Sequence, residues 1–320
     1  MNTLTVRPYA GEDDLPAITA LLNHCDAVDR LDDNYAIDDL RLEFADPRID
    51  TAKDLRLWED ADGALLAFGQ VWMDSSDDEV EGGLYWRVAP SARGSGIEDD
   101  ILAWVTDRVL RQAQAEAKKA RLNCGTRTEY AYGHTLPQHA GMAVVRHYFQ
   151  MRRPLDTPIE PAVLPAGFTL RHVASDADVA GWVDAFNLSF IDHYNFHPVT
   201  LETHRHWMQH PSYRPEHDLV AVAEDGTIAA FDLCQIDPAE NERNRRNDGW
   251  IGILGTRRGY RKLGLGRAVL LAGLHHLKAS GVENARLNVD AENPTGALRL
   301  YESVGFSVLH SWQTYEKHLN

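Results

Sequence analysis

Between residues 250 and 267 the chain reads WIGILGTRRGYRKLGLGR, and Arg261-x-x-Gly264-x-Gly266 falls where an apolar strand gives way to a helix-forming run. Glycines at such a junction let backbone N–H groups approach a ligand closely. The unpaired N–H groups and the dipole of the helix start attract anions. Five basic side chains, Arg257, Arg258, Arg261, Lys262 and Arg267, surround the turn. The chemistry these residues favour is holding a phosphate or pyrophosphate. The turn is no Walker A loop, because it lacks the Gly-Lys-Ser/Thr ending. Nor does it open the chain and precede an acidic ribose partner, as a dinucleotide-binding fold requires.

Two other groups carry reactive residue types. His193/His197 and His206/His210 have the i,i+4 spacing that binds zinc on a helix. Pro198 and Pro211 interrupt those helices and the sequence places no acidic third ligand, so these histidines read as pocket or surface residues and no metal is expected. Cys234 sits in an apolar strand without a local His and carboxylate, which reads as a buried thiol.

The elements that must position the turn occur twice. Thr5-Val-Arg7 recurs as Thr169-Leu-Arg171, about 164 residues on, followed by Ala10/Ala174, Asp14/Asp178 and Asn23/Asn187. Ala120-Arg-Leu-Asn123 returns letter for letter as Ala285-Arg-Leu-Asn288, and Gly141-Met142 matches Gly305-Phe306. The chain therefore divides into a first copy at 1–157, a second at 166–320 and a Pro-rich linker at 158–165. The surrounding PLDTPIEPAVLP at 154–165 favours an extended, semi-stiff connector. Each copy reads as a short strand (4–7, 169–171), an acidic-capped helix (13–22, 176–186), and two strands flanking a turn (55–59 with 65–73, 219–223 with 228–236). A charged connection follows (74–82, 237–247), with the run 240–248 taken as a solvated hairpin tip. A glycine turn, a long helix (96–114, 265–280) and a closing strand, short helix and strands complete the copy. The class is α/β, with a mixed, mainly antiparallel sheet flanked by helices in each copy.

Downstream of the turn comes LNVDAENPTGALRLYESVGF at 287–306. The pair of segments resembles motifs A and B of the GCN5-related N-acetyltransferases (GNAT), a Q/R-x-x-G-x-G/A loop followed by N-x-x-A-x-x-x-Y-x-x-x-G-F. The duplication and the phrase DHYNF at 192–196 are similar to the tandem-domain subgroup that includes mycothiol acetyltransferase. The resemblance implies two tandem GNAT-like domains and acetyl-CoA as co-substrate. It implies that backbone groups of Leu254, Gly255 and Thr256 pair with the pantetheine arm. Arg261 heads the loop, and N–H groups of Lys262, Leu263, Gly264, Leu265, Gly266 and Arg267 hold the pyrophosphate. Asn293 touches the cofactor near its thiol end, and Tyr301 protonates the departing thiolate. A tyrosine of reference pKa about 10 can do so without ionising at neutral pH. The general base stays open among Asp232, Asp290 and His193, since 250–256 contains no Glu or Asp.

The first copy departs from the motif. Arg93-Gly-Ser-Gly96-Ile-Glu98 sets Glu98 where Gly266 stands, and Asp99 and Asp100 follow. Three carboxylates in a first turn suit the helix dipole but repel a pyrophosphate. Pro137 falls opposite Tyr301, so this copy is expected to shape structure or substrate and not to catalyse. Residues 160–320 hold every motif residue and are expected to bind acetyl-CoA alone.

Composition narrows the remaining classes. The 320 residues carry 32 basic and 48 acidic side chains, which disfavours nucleic acid and anionic membranes as partners. Residues 1–164 hold 17 basic and 29 acidic side chains against 15 and 19 in 165–320, so the second half is less hostile to an anionic cofactor. No run of about 18 apolar residues reads as a membrane span. The opening MNTLTVRPYAGEDD has no signal-peptide pattern, and three scattered cysteines fit a reducing cytoplasm. The expected protein is a cytoplasmic, monomeric N-acetyltransferase with a pseudo-dimeric domain pair, acting on a primary amine of a small molecule. Transfer to a protein N-terminus or lysine, and a non-catalytic acetyl-CoA sensor, are the alternatives.

Overall fold

The computed structural model describes residues 4–194, 196–210, 212–293 and 295–319; Asn195, Pro211 and Pro294 of the segments above lie outside them. The chain forms two compact units, Met1–His147 with Trp312–Asn320, and Tyr148–Ser311. The first contains β1 (Thr5–Pro8), α1 (Leu15–Asp29), α2 (Ile37–Phe44), α3 (Thr51–Asp54), β2 (Leu55–Glu59), β3 (Leu65–Ser75), β4 (Glu79–Val88), α4 (Ile97–Glu116), β5 (Lys119–Arg127) and α5 (Thr135–His139). Strand β6 (Ala143–Pro154) runs on into the second unit. There follow β7 (Phe168–His172), α6 (Asp176–Phe190), α7 (Leu201–Trp207), β8 (Asp218–Ala223), β9 (Ile228–Gln235), α8 (Pro238–Arg243), β10 (Asp248–Thr256), α9 (Leu265–Ala279), β11 (Asn284–Asp290), α10 (Ala297–Ser303) and β12 (Ser307–Leu319).

Both units use one topology. In the first, β1 to β4 pair antiparallel in sequence order, β5 adds parallel to β4, and residues 312–319 of β12 add antiparallel to β5. In the second, β7 to β10 pair antiparallel, β11 adds parallel to β10, and residues 148–154 of β6 add antiparallel to β11. The sixth strand of each unit thus comes from the other copy's stretch of sequence. This differs from a division at 157 and 166, because alternation within a strand specifies its faces and not its partner. The 158–165 segment belongs to the second unit. It forms neither helix nor strand, and Ile159, Ala162 and Leu164 pack against that unit's core.

The repeated letters mark repeated devices. Arg7 donates to both oxygens of Asp14 at 2.9 and 2.7 Å, and Arg171 to both of Asp178 at 3.0 and 2.6 Å. Ala10 and Ala174 N–H groups donate to the same carboxylates, tying each first strand to its helix start. Asn23 exchanges two hydrogen bonds with the Tyr35 backbone, and Asn187 two with Val199. The Arg171 hydrogen bonds hold the Asp178 pKa down to about 2, so its ionised form stabilises the fold above the ordinary carboxylate pKa of about 3.9 and the benefit is lost as pH falls toward 2. Asp178→Asn should lower stability by about 2 kcal/mol at pH 7, and by progressively less as acid protonates the wild-type carboxylate. Urea unfolding at both pH values checks this; equal losses at pH 7 and at pH 2 would contradict it.

Two local readings change. Helix α1 runs on to Asp29, past the expected end near Leu22. The run 240–248 is no solvated tip: Asp237 caps α8 by accepting the Glu240 N–H at 2.9 Å, with Pro238 in the first helical turn. Behind it, Arg246 pairs with Glu240, while Asp248, 2% exposed, pairs with Arg286. Alternating signs that look solvated in sequence satisfy one another inside the fold.

Candidate active site

Strands β10 and β11 pair at only three positions, Asp248↔Asn284, Gly249↔Ala285 and Trp250↔Arg286. Beyond Trp250 they part. Against β9, β10 shifts register between Ile251 and Ile253, then continues through Leu254↔Asp232, Gly255↔Phe231 and Thr256↔Ala230. Residues 254–256 therefore spend their sheet hydrogen bonds on β9 and present an open edge opposite. A cavity of about 1130 Å³ occupies the wedge, lined by Leu254, Gly255, Thr256, Asn288, Val289 and Asp290 among others. In the first unit the equivalent pair, β4 and β5, stays together over six positions, from Glu79↔Lys119 to Leu84↔Cys124.

The turn closes one end of the wedge. Gly264 caps α9 with φ +88°, a conformation that favours glycine. The first intrahelical donor is Ala268 to the Gly264 carbonyl, which leaves the N–H groups of Leu265, Gly266 and Arg267 as the orphan donors of a helix start. A Cβ on Gly266 would lie 2.9 Å from Thr256 Oγ1. At Gly255 a Cβ would meet the Phe231 ring at 2.4 Å, so packing against β9 alone demands that glycine.

The basic side chains are not a bare positive ring. Arg257 pairs with Asp184 at 2.5 Å, Arg258 and Arg261 with Asp192, and Arg267 with Glu160 at 2.8 Å. Arg261 also donates to the Ser189 carbonyl at 2.8 Å, fastening the loop to α6. Lys262, with φ +65°, and Leu263 are exposed. Such partly exposed pairs contribute little, so an arriving phosphate competes for them at little cost. Strength at this site thus comes first from backbone donors.

In the first unit a side chain fills the corresponding place. Glu98 accepts from the Gly94 N–H at 2.9 Å and from the Tyr132 hydroxyl at 2.6 Å. Arg93 is held by both oxygens of Asp29 at 2.9 and 2.6 Å. Pro137 is buried in α5.

Asn293, Tyr301 and His193 also stand on the cavity wall. Asn293 Oδ1 accepts from the Thr295 N–H and hydroxyl, and its Nδ2 lies 3.5 Å from His193 Nε2. Tyr301 projects from α10, 7% exposed, edge-on to Phe306. Burial, and then the charge of Asp232, push its pKa well above 10, so the phenol stays protonated. Asp232 itself is fully buried beneath Gly273 of α9 and does not line the cavity.

Sequence reasoning missed the aromatic wall formed by Phe186, Phe190, Trp207 and Tyr148. The i,i+4 spacing of Phe186 and Phe190 was the available signal. Tyr148 carried none, since it lies on β6, in the sequence of the first copy. Among the clustered histidines, His204 stacks on Trp182 at 4.2 Å in the core, where burial lowers its pKa to about 4. His210 Nδ1 meets Ser212 Oγ at 2.6 Å. Among the described residues, no group of three or more His, Cys, Asp or Glu side chains is arranged to hold a metal ion, and no helix is long and apolar enough to cross a membrane.

Comparison with known proteins gives a consistent result. Residues 179–306 match the model of the Acetyltransferase (GNAT) family. The chain is 31% identical over 240 residues to a mycothiol acetyltransferase of Thermomonospora curvata, covering 73% of this chain and 77% of that one. It is 34% identical over 252 residues to one of Thermobispora bispora, covering 77% and 78%. Among solved structures it resembles a GCN5-related N-acetyltransferase from Sphaerobacter thermophilus (TM-score 0.75, 25% identity, 98% and 95% covered). A tandem GNAT protein of the clavulanic acid biosynthesis pathway shares the fold (TM-score 0.70, 15% identity, 99% and 98% covered).

Proposed function

We propose residue roles for a chain that belongs to the GNAT family of acetyltransferases and catalyses acetyl-CoA-dependent N-acetylation of a small-molecule amine. The observation that carries the assignment is the wedge between β10 and β11, whose wall holds both a glycine-capped helix start and a buried tyrosine. The open edge of 254–256 fits an extended amide-bearing arm. The orphan donors of 265–267, with the backbone of 262–264, fit a pyrophosphate. Acetyl-CoA supplies the activated acetyl thioester. Asn293 orients its thiol end, and Tyr301 holds the proton that the leaving sulfur takes.

The first unit is assigned no cofactor. Glu98 already occupies its turn, and its strands β4 and β5 stay paired over six positions against three in the second unit. Calorimetry should therefore find one acetyl-CoA per chain, and Gly266→Glu should abolish that binding by clash with Thr256 and by charge repulsion. Two sites of similar affinity, or a Gly266→Glu chain that still binds, would contradict this.

The relatives' name directs the acceptor trial to a cysteinyl pseudodisaccharide amine. The aromatic wall supports a compact acceptor that can lay an apolar face against Phe190 and Trp207. Release of CoA with this amine, against aminoglycosides and polyamines, tests the choice. Preference for either of the other classes would overturn it.

A further inference from the structure

An amine reaches its enzyme at neutral pH largely as an ammonium, which has no lone pair with which to attack. A proton must leave it first, and the roles assigned above give that proton no destination. We propose that His193 is the catalytic base, accepting the acceptor's proton at Nε2; this rests on the acetyltransferase reading given above.

The geometry singles out that nitrogen. His193 follows the end of α6, half-buried on the cavity wall, with its ring edge-on to Phe190 at 4.6 Å between centroids. Asn293 Oδ1 is taken by Thr295, whose N–H and hydroxyl donate to it at 2.8 and 2.5 Å. The Asn293 amide is thereby oriented with Nδ2–H toward His193, 3.5 Å from Nε2. Facing that donor, Nε2 acts as acceptor in the tautomer that carries the ring proton on Nδ1. The cavity thus holds a neutral imidazole whose basic nitrogen stands beside the residue assigned to the thioester end.

Burial keeps it neutral, with charges of both signs around it. Asp290 faces it from β11, Asp192 from the adjoining chain and Arg261 from the glycine loop, while Arg258 and Arg261 both pair with Asp192. Burial is the largest influence and lowers the pKa from 6.5; Asp290 raises it, Arg261 lowers it and Asp192 raises it. The competing carboxylates fit less well. Asp232 is sealed beneath α9, and β10 offers no acid from Gly249 to Thr256. Asp290 Oδ1 is engaged by the Glu292 N–H at 2.8 Å. Carboxylates, with reference pKa values of about 4, are also weaker bases than imidazole.

The proton balance closes. The N–H bond of the ammonium breaks toward His193 Nε2, leaving imidazolium. The freed lone pair forms the C–N bond to the acetyl carbon as the C–S bond breaks, and the sulfur takes the Tyr301 hydroxyl proton. The second nitrogen proton, lost as the amide forms, returns to Tyr301 through solvent, and His193 releases its own to water.

Two measurements on the full chain test this. In ¹⁵N-histidine NMR, His193 (identified by its absence in His193→Gln) should show an unprotonated Nε2 and a protonated Nδ1 at pH 7. With the cysteinyl pseudodisaccharide amine, His193→Gln should lower kcat/KM by about 10²-fold or more and remove the acid limb of the pH profile. Its acetyl-CoA affinity should stay within about twofold of wild type. Imidazole added to His193→Gly should restore part of the turnover, which a purely structural role would not allow. Protonated Nε2 at pH 7, or a His193→Gln enzyme with wild-type kcat/KM and acid limb, overturns the proposal. A wild-type enzyme inert toward this amine strikes the acceptor named above, and the NMR result still upholds or overturns His193.

Discussion

A fragment spanning 160–320 will not fold, although it contains every residue assigned to the cofactor. It lacks residues 148–154 of β6, which pair with β11 from Tyr148↔Asp290 to Pro154↔Asn284. Met151 and Leu155, 1% and 2% exposed, leave the core of the second unit with that strand. Each contributes about 1.5–3 kcal/mol by burial. Arg153, which donates to the Val304 carbonyl at 2.5 Å and the Pro158 carbonyl at 2.8 Å, goes too. The ladder bonds lost with the strand add roughly 1 kcal/mol apiece. The sum consumes most of a domain's net stability of about 5–15 kcal/mol. A fragment spanning 148–311 keeps the whole second unit and should be soluble, melt cooperatively and bind acetyl-CoA. Deleting 312–320 from the full chain should unfold the first unit instead. It removes Tyr315 from that unit's core, where its hydroxyl meets His134 Nδ1 at 2.9 Å, and Glu316 from Arg121. Circular dichroism melts and native gels decide the matter. A cooperative melt from 160–320 would show that β6 is dispensable.

What the sequence disclosed and what it hid divide along one line. Arg7, Asp14 and Asn23 recur as Arg171, Asp178 and Asn187 because each works within about a dozen residues of its own position. A device of that kind survives as a spaced pattern of letters. The glycine turn was legible for the same reason, since Gly264 and the orphan donors of α9 form one continuous stretch. The exchange of sixth strands was not. β6 and β12 have strand character in either copy, and nothing local tells β6 that its partner lies near residue 287 and not near residue 122. Tyr148 stayed hidden with it. The acidic partners of the loop arginines come from 160, 184 and 192, so a ring of charge in sequence becomes a set of ion pairs in space.

Tyr301→Phe should lower turnover of the cysteinyl pseudodisaccharide amine by about 10²–10⁴-fold, the usual contribution of a positioned acid, with acetyl-CoA affinity nearly unchanged. The ring accounts for the second part of the expectation. It packs on Phe306 in the core of the second unit, and phenylalanine keeps that contact. The hydroxyl accounts for the first. Burial and Asp232 raise its pKa above the ordinary 10, which makes it a weaker acid toward a thiolate whose solvated pKa is about 8.5. Each unit of mismatch costs about 1.4 kcal/mol, so transfer to a fully hydrated thiolate would be uphill. The sulfur leaves beside the same buried ring, however, and burial raises a thiol pKa as it does for Cys234 in the core. Desolvation shifts both groups in one direction and brings them back toward a match. The pH dependence follows in sign. Because the Tyr301 pKa is raised, the acid stays protonated through the assay range, and wild-type kcat should not fall between pH 7 and 9.5. Rate measurements across that range, with calorimetry of both proteins, settle the role. A basic limb near pH 8 that vanishes in Tyr301→Phe would mean a low-pKa phenol, contrary to its burial. Turnover by Tyr301→Phe equal to wild type would show that water or another residue protonates the thiolate.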